Sequence, residues 1–155
     1  MENRELSIAE WLSKAQAYCA RAEHCAADVR RKLYEWGAPQ EIEGSSREGG
    51  LDLFDFIEQK LYEDGYLNDA RYCEAYVHDK VAYQKWGRLK IQAGLRALQL
   101  PEDAICAAID GIDEAQYAAN LRALANQRRT DPLDKRLRFL SQRGFTYSEI
   151  KSYLS

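Results

Sequence analysis

Cationic and aromatic side chains alternate along residues 68–91, and their chemistry is that of a binding surface. The segment reads NDARYCEAYVHDKVAYQKWGRLKI. Arginine and lysine bind phosphates and carboxylates, and tyrosine and tryptophan are enriched where proteins contact one another. The segment offers almost nothing suited to breaking covalent bonds. Its candidate binding residues are Arg71, Tyr72, Tyr76, Lys80, Lys85, Trp86, Arg88 and Lys90.

A second set of basic residues lies towards the C-terminal end. Residues 120–155 contain eight lysines or arginines against three aspartates or glutamates. Such bases can neutralise phosphates, with an affinity that falls as salt rises, and they can equally meet acidic patches on a protein partner. The alternative is a pair of solvated helix faces. The candidates are Arg128, Arg129, Lys135, Arg136, Arg138 and Arg143, with Arg122 preceding them.

The N-terminal part has the opposite charge. Residues 1–66 contain 14 acids and 8 bases, and the net charge of the whole chain is −3. This distribution favours one end of the molecule meeting an anionic surface. The overall negative charge argues against a protein that binds DNA without any other partner.

No catalytic or metal-binding set emerges. Histidine is the usual general base at neutral pH, and both histidines, His24 and His78, are expected at the surface. Acids are scattered and no phosphate-binding loop is present, so we expect no enzyme and no cofactor. Cys19 and Cys73 each precede a histidine by five residues. This spacing puts the two side chains about 140° apart on a helix, which argues against zinc.

The aromatic residues admit two interpretations. An aromatic stripe at helical spacing is usually part of a core, so packing is favoured for Tyr72, Tyr76 and Tyr83, with a contact role as the alternative. Trp86 is expected to fill a joint between two helices. Gly87 is expected to adopt a backbone conformation unfavourable for other residues. Such a joint would direct three bases towards a partner: Lys85, Arg88 and Lys90.

Apolar residues recur with the helical period along nearly the whole chain. One stripe contains Phe54, Ile57 and Leu61, and another contains Leu133, Leu137 and Leu140. Cys73, Val77 and Val81 are expected to face the core. No segment alternates strictly with β-branched residues, so a sheet is not expected. The periodicity predicts an all-α chain.

The chain also contains an internal repeat. Leu33, Leu95 and Leu140 are each followed four residues later by Gly37, Gln99 and Gly144. A longer helix precedes each leucine, which predicts a unit of three helices, of the kind that stacks in helical solenoids. The predicted units are residues 1–67, 68–111 and 112–155, which together form one continuous domain. A flexible surface loop is predicted at residues 43–50 in the first unit.

The order and spacing of these motifs resemble those of the RecX family, bacterial regulators of the RecA recombinase. The similar parts are LYEDGYLNDARYCEAYVHDKVAYQKWGRLKI and the ending RFLSQRGFTYSEIKSYL. The resemblance extends from about Ala15 to Leu154. Its most specific matches are a Gly-aromatic-Leu-Asn turn, Lys85-Trp86-Gly87 and Arg143-Gly144-Phe145.

The resemblance implies an all-α fold, an elongated right-to-left stack of three tandem three-helix repeats with about nine helices. It implies a non-enzymatic protein that lies along the RecA filament on single-stranded DNA. Such a protein limits filament growth and lowers the ATPase, strand-exchange and co-protease activities of RecA. Residues 43–50 depart from the family pattern because they interrupt the first repeat, and the acidic N-terminal third differs as well.

The resemblance therefore implies a regulator whose partners are RecA and the RecA filament, with direct contacts to DNA phosphates in addition. Two alternatives stay open: a helical-repeat adaptor for another protein, and a DNA-binding protein that acts without RecA. No apolar run approaches the roughly 20 residues that span a bilayer, and the N-terminus lacks the apolar block of a secretory signal. We expect a cytoplasmic monomer that does not contact membranes.

Overall fold

The structure is a computed structural model that describes residues 5–42 and 51–154. The chain divides into two compact units, Met1–Asn68 and Asp69–Ser155. The loop predicted at residues 43–50 lies outside the described residues. The repeat boundaries predicted at residues 67 and 111 stay predictions.

The first unit contains three helices around one core. They are α1 (Ile8–Arg21), α2 (Ala26–Glu35) and α3 (Leu53–Glu63). Helix α1 begins with a capping box, because the Ser7 hydroxyl accepts from the Glu10 N–H and the Glu10 carboxylate accepts from the Ser7 N–H. One face of each helix is buried, and the core includes Ala15, Val29, Leu33, Ile57 and Leu61.

A short antiparallel pairing precedes α3 and was not expected from the sequence. Strand β1 (Glu41–Ile42) pairs with β2 (Leu51–Asp52), with Glu41 opposite Asp52. The Leu53 N–H donates to the Gln40 carbonyl at 2.6 Å. Each strand contains two residues, and β2 ends directly before the start of α3. The pairing involves only two pairs of facing residues in the described part of the chain, and the fold remains helical.

The second unit contains six helices in two successive sets of three. They are α4 (Asp69–Ala82), α5 (Arg88–Ala97), α6 (Glu102–Asp110), α7 (Glu114–Gln127), α8 (Leu133–Gln142) and α9 (Tyr147–Leu154). In each of the three sets within the described ranges, the first helix has 14 residues and the second has 10. The predicted all-α fold of three-helix repeats is confirmed.

The second helix of each set ends in the same way. Leu33, Leu95 and Leu140 are fully buried, and each accepts a hydrogen bond from the N–H five residues later, at 2.9, 3.2 and 3.3 Å. The residue four positions after each leucine has a positive φ, which closes the helix in the left-handed conformation. These residues are Gly37 at +80°, Gln99 at +64° and Gly144 at +102°. The repeat in the sequence is therefore a repeated helix termination.

Most predicted core residues are buried, with one clear exception. Phe54, Ile57 and Leu61 all lie in the core of the first unit. Along α8, Leu140 is buried, but Leu133 is 57% exposed, so the apolar stripe of this helix is not buried along its whole length. Leu133 is the first residue of α8, directly after the N-cap residue Pro132. The periodicity is correct for this helix, but its first turn projects beyond the packed part.

Candidate cationic and aromatic interface

Helix α4 packs one face into the core and presents a tyrosine and a lysine beside it. Cys73, Val77 and Val81 are buried, as the periodicity predicted. Tyr76 and Lys80 are half-buried, and residues four apart lie one above the other on a helix. The helix therefore fixes a ring and an ammonium group at neighbouring positions along the edge of the core.

Trp86 lies at the centre of a group of cations and rings. The ammonium groups of Lys80 and Lys90 each lie over its ring, 4.4 Å from the centroid. Lys80 also lies 5.2 Å from the centroid of the Tyr76 ring. The rings of Tyr76 and Trp86 meet edge to face, with their centroids 6.5 Å apart. We call Tyr76, Lys80, Trp86 and Lys90 the Trp86 cluster.

The turn between α4 and α5 brings Trp86 back over Lys80. Lys85 has a φ of +53°, and the Trp86 N–H donates to the Lys80 carbonyl at 3.0 Å. Gly87 has an ordinary φ of −80°, so the prediction that it adopts an unusual backbone conformation is wrong. Gly87 is required for close approach instead, because a Cβ there would collide with the backbone of Gly144.

Residues of the third set cap the N-terminus of α5. The Gly87 N–H donates to the Arg143 carbonyl at 2.7 Å, and the Leu89 N–H donates to the Gly144 carbonyl at 3.0 Å. The first amide groups of a helix have no partner within it. Backbone carbonyls from the end of α8 thus accept the hydrogen bonds that an N-cap side chain would otherwise accept. Helix α5 can therefore begin with basic residues.

Arg88 belongs to this joint. Its side chain is 24% exposed and pairs with Glu114 and, at 3.1 Å, with Glu149. The guanidinium carbon lies 4.0 Å from the centroid of the Tyr117 ring, and the Tyr117 hydroxyl accepts from the Arg88 N–H at 3.0 Å. Burial raises the pKa of Tyr117, so the phenol stays neutral. These internal contacts account for Arg88 without an external partner.

Gly94 makes room for Tyr76 and was missed by the sequence reasoning. A Cβ at Gly94 would collide with the Tyr76 hydroxyl, so the ring is held between α4 and α5. Burial raises the pKa of Tyr76. A glycine inside a helix costs about 1 kcal/mol relative to alanine. A glycine within a predicted helix is therefore a signal in the sequence that the position serves close packing.

The lysines around Trp86 keep their charges available. No carboxylate in the described part of the chain forms an ion pair with Lys80, Lys85 or Lys90. Two further candidates lie on α4: Arg71 is exposed, and the Tyr72 ring lies 6.1 Å from that of Tyr76. The structure therefore places the candidates of the second repeat along α4, the turn that follows it and the first turn of α5.

The basic residues of the third set divide into engaged and available groups. Arg128 pairs with Asp131 at 3.7 Å and lies over the Phe139 ring. Arg143 donates to the Gln84 carbonyl, so it joins the turn after α4 to the end of α8. Arg136 is half-buried and Arg122 lies over the Tyr153 ring. In residues 120–154, the exposed candidates with neither an ion pair nor a ring contact are Arg129, Lys135 and Arg138.

Two predictions about aromatic residues are wrong. Tyr83 was expected to pack, but it is 76% exposed because it follows the last residue of α4. His24 was expected at the surface, but its ring stacks on Tyr18 with 3.8 Å between centroids. Its Nδ1 atom lies 3.3 Å from the Asp28 carboxylate. His78 is exposed, as predicted.

Residues 5–42 and 51–154 contain neither a metal-binding group of side chains nor a membrane-spanning helix. Within those ranges, no group of three or more histidine, cysteine, aspartate or glutamate side chains is placed to hold a metal ion. No helix there is long and apolar enough to cross a membrane.

Comparison with known proteins gives consistent matches. The family model described as RecX, second three-helix domain, matches residues 68–109. The chain is 31% identical over 142 residues to regulatory protein RecX of Thermobifida fusca (strain YX), covering 86% of this chain and 73% of that protein. It is 31% identical over 151 residues to regulatory protein RecX of Pseudomonas entomophila (strain L48), covering 88% and 84%.

Solved structures share the fold. The crystal structure of a regulatory protein RecX matches with a TM-score of 0.72 at 21% identity, over 99% of this chain and 80% of that chain. The crystal structure of RecX from Lactobacillus salivarius matches with a TM-score of 0.73 at 19% identity, over 95% and 94%.

Proposed function

We propose, from the premise that this chain belongs to the RecX family of regulatory proteins, that it regulates RecA without being an enzyme. It binds RecA and the RecA filament on single-stranded DNA in the cytoplasm. Binding limits filament growth and thereby lowers the recombinase, ATPase and co-protease activities of RecA. The match of the second three-helix domain, which contains the Trp86 cluster, supports this function.

The observation that carries the proposal is the set of lysines around Trp86 that pair with no carboxylate in residues 5–42 and 51–154. Lys80 and Lys90 lie over one ring, and Lys85 sits between them in sequence with a left-handed backbone. Placing like charges together without a carboxylate partner is unfavourable in isolation, since each repels the other. An anionic partner removes this repulsion and gains the Coulomb energy of several contacts at once.

The form of the cluster favours backbone phosphates and protein carboxylates over nucleotide bases. Bases bind aromatic residues by stacking on an open ring face. At Trp86 the ammonium groups of Lys80 and Lys90 lie over the ring, where a base would otherwise stack. Phosphate contacts carry no direct sequence information. We therefore expect the protein to bind filaments without regard to DNA sequence.

A second group of cations lies in the same unit. Arg129, Lys135 and Arg138 are exposed on the third repeat. A partner with a repeating anionic surface, such as a filament on DNA, can engage both groups together. Modest contacts then combine because the second binding event is intramolecular. The protein binds a filament state that engages both groups more tightly than one that engages a single group. This preference for one filament state is the physical route by which binding shifts filament growth towards loss.

The test is the ATPase activity of RecA on single-stranded DNA, measured with substoichiometric amounts of the full chain. We expect a progressive loss of ATPase activity at low salt and a smaller loss at high salt, because exposed charges are screened. The variant Lys85→Glu/Lys90→Glu, with Arg88 left in place, should inhibit about tenfold less effectively per molecule. Unchanged ATPase activity with the wild-type chain would contradict the proposal.

Two further binding measurements separate the alternatives. The chain is presented with RecA filaments on DNA, RecA alone and single-stranded DNA alone. The proposal predicts the strongest binding to the filament. Equal binding to DNA alone, with a steep salt dependence, would indicate a DNA-binding protein that acts without RecA. Binding to none of the three would leave the adaptor for another protein as the better account.

A further inference from the structure

An apolar groove lies on the second unit beside α4. It has a volume of about 590 Å³ and is formed by α4, the end of α6 and the start of α7. Its apolar lining includes Val77 and Val81 of α4 and Ala108 and Ile112 after them in the chain. These four side chains are 5–8% exposed. The groove therefore offers a small apolar floor that remains accessible from outside.

The rim of the groove is acidic. Glu74 lines it from α4 and Asp113 lines it from the start of α7. One oxygen of the Asp113 carboxylate accepts from the Ala115 and Gln116 N–H groups, and the other oxygen has no such bond. Within the described residues, Glu74 forms no ion pair. Both charges are thus available to a cationic ligand.

Buried polar groups hold the far side of the groove in place. The Asn120 side chain is 2% exposed and donates to the Val81 carbonyl at 2.8 Å. This bond satisfies one of the carbonyls that the end of α4 leaves without a partner. Asn120 also accepts from the Gln116 side chain at 2.8 Å. Gln116 lines the groove, so its position is fixed before any ligand binds.

The groove and the Trp86 cluster lie on different faces of α4. Successive residues are rotated by about 100° around a helix. The groove residues of α4, centred on Glu74 and Val81, are therefore on average about 130° from Tyr76 and Lys80. Residues of the cationic side attract anions, whereas the groove combines apolar surface with carboxylates. The two sides of one helix suit different ligands.

We propose that this groove binds a protein segment in which an aliphatic side chain lies one helical turn from a lysine or arginine. The aliphatic group covers Val77 and Val81, and the cation pairs with Glu74, about one turn along α4 from Val77. Asp113 offers a second carboxylate at the other end. The proposal concerns a second interaction surface and does not depend on RecA being the partner of the Trp86 cluster.

The test uses two synthetic alanine-based helical peptides with leucine and a charged residue four positions apart on one face. One peptide carries arginine and the other carries glutamate. Amide NMR chemical shifts of the full chain are recorded during titration with each. We expect the arginine peptide to shift residues of the groove and to bind about tenfold more tightly than the glutamate peptide, with an affinity reduced by salt.

Ala107→Arg blocks the groove from its rim. Ala107 is exposed and lines the groove, and arginine is a good helix former, so the variant should fold. Ala20→Arg adds the same charge to an exposed position of α1 that does not line the groove. Ala107→Arg should weaken binding of the arginine peptide about tenfold, whereas Ala20→Arg should leave it within about twofold.

Glu74→Lys provides an independent variant, because it changes the rim without filling the groove. It should reverse the preference between the two peptides. Failure of the arginine peptide to bind the wild-type chain would overturn the proposal. So would equal binding of the two peptides, or unchanged binding to Ala107→Arg. Self-association that Ala107→Arg abolishes would show that the groove is covered by a second copy of the chain, which also overturns the proposal.

Discussion

Corresponding positions of the first and second repeats carry side chains of different charge and type. The buried leucines that end α2 and α5 in the same way fix the correspondence. Counting back from them, the matched pairs are Tyr18 and Lys80, His24 and Trp86, and Asp28 and Lys90. The buried residues of α1 and α4 obey the same offset. The backbone frame is shared, and the side chains on it are not.

In the first repeat, the residues at these positions contact one another. His24 stacks on Tyr18 and approaches the Asp28 carboxylate at 3.3 Å. Asp28 also pairs with Arg31 at 3.6 Å. In the second repeat, the corresponding aromatic ring, Trp86, is covered by two ammonium groups that pair with no carboxylate among the described residues. The lysines of the second joint thus have no ion-pair partner within residues 5–42 and 51–154.

The comparison indicates that the fold does not require the ammonium groups of Lys80 and Lys90. A three-helix repeat forms with a tyrosine and an aspartate where Lys80 and Lys90 stand. The cation–π contacts of these lysines contribute about 0.5–1 kcal/mol each at exposed sites. Part of this is lost to the repulsion between the two ammonium groups. Stability is therefore a weak reason for this arrangement, and binding is the stronger one.

The largest effect is expected at the close approach between the second and third repeats. Gly87→Ala would push a methyl group into the backbone of Gly144, which should lower the free energy of unfolding by about 3 kcal/mol. Cys25 stands at the corresponding position of the first repeat, so a side chain is tolerated there. Urea unfolding followed by circular dichroism measures the effect.

Gly111→Ala is the matched control for this prediction. Gly111 has a φ of −82°, and a Cβ there would make only ordinary contacts, 3.5 Å or more from its neighbours. Its effect should stay within about 0.5 kcal/mol. If the two alanine variants had the same free energy of unfolding, the close approach to Gly144 would not be the reason for a glycine at position 87.

The second effect separates structural from binding cations. Arg88→Met removes the pairs with Glu114 and Glu149 and leaves the half-buried Glu149 carboxylate without its cation. We expect a loss of about 2 kcal/mol in the free energy of unfolding. Arg96→Met, which breaks an exposed pair with Glu102, should have no measurable effect. Equal stability of both variants would return Arg88 to the list of binding candidates.

The smallest effect concerns the repeated helix termination. Gln99 has a φ of +64° where the other two repeats have glycine. Gln99→Gly should raise the free energy of unfolding by about 0.5–1 kcal/mol, because glycine adopts this conformation without the side-chain penalty. Gly37→Ala, at the corresponding place in the first repeat, should lower it by a similar amount. Thermal unfolding of both variants would expose the opposite signs, and the same sign would contradict the shared termination.

The sequence predicted the helices and the repeat because these depend on local pattern. Helical periodicity located Cys73, Val77 and Val81 in the core, and the spacing after the buried leucines indicated the common helix ends. The role of Gly87 could not be predicted, since the reason for the glycine is the backbone of Gly144, 57 residues later. Local reasoning assigned it a conformation instead of a contact.

The candidate site was predicted in composition but not in arrangement. Lysines and aromatics near Trp86 were recognised as binding candidates, but charge alone could not separate Arg88 from Lys90. They are two residues apart, and only packing against the third repeat shows that Arg88 meets Glu149 while Lys90 lies over Trp86. The groove next to Glu74 was missed because residues from three helices form it.

Binding to RecA filaments on single-stranded DNA tests the central claim most directly, with lysines removed from one joint or the other. The variant Lys80→Gln/Lys90→Gln clears the ring of Trp86, and Lys14→Gln/Lys32→Gln clears the rings of Trp36 and Tyr18 in the first repeat. Co-sedimentation with filaments should weaken about tenfold or more for the first variant and less than about twofold for the second. Equal losses for the two variants, or no loss for either, would contradict the assignment of the Trp86 cluster as the filament-binding surface.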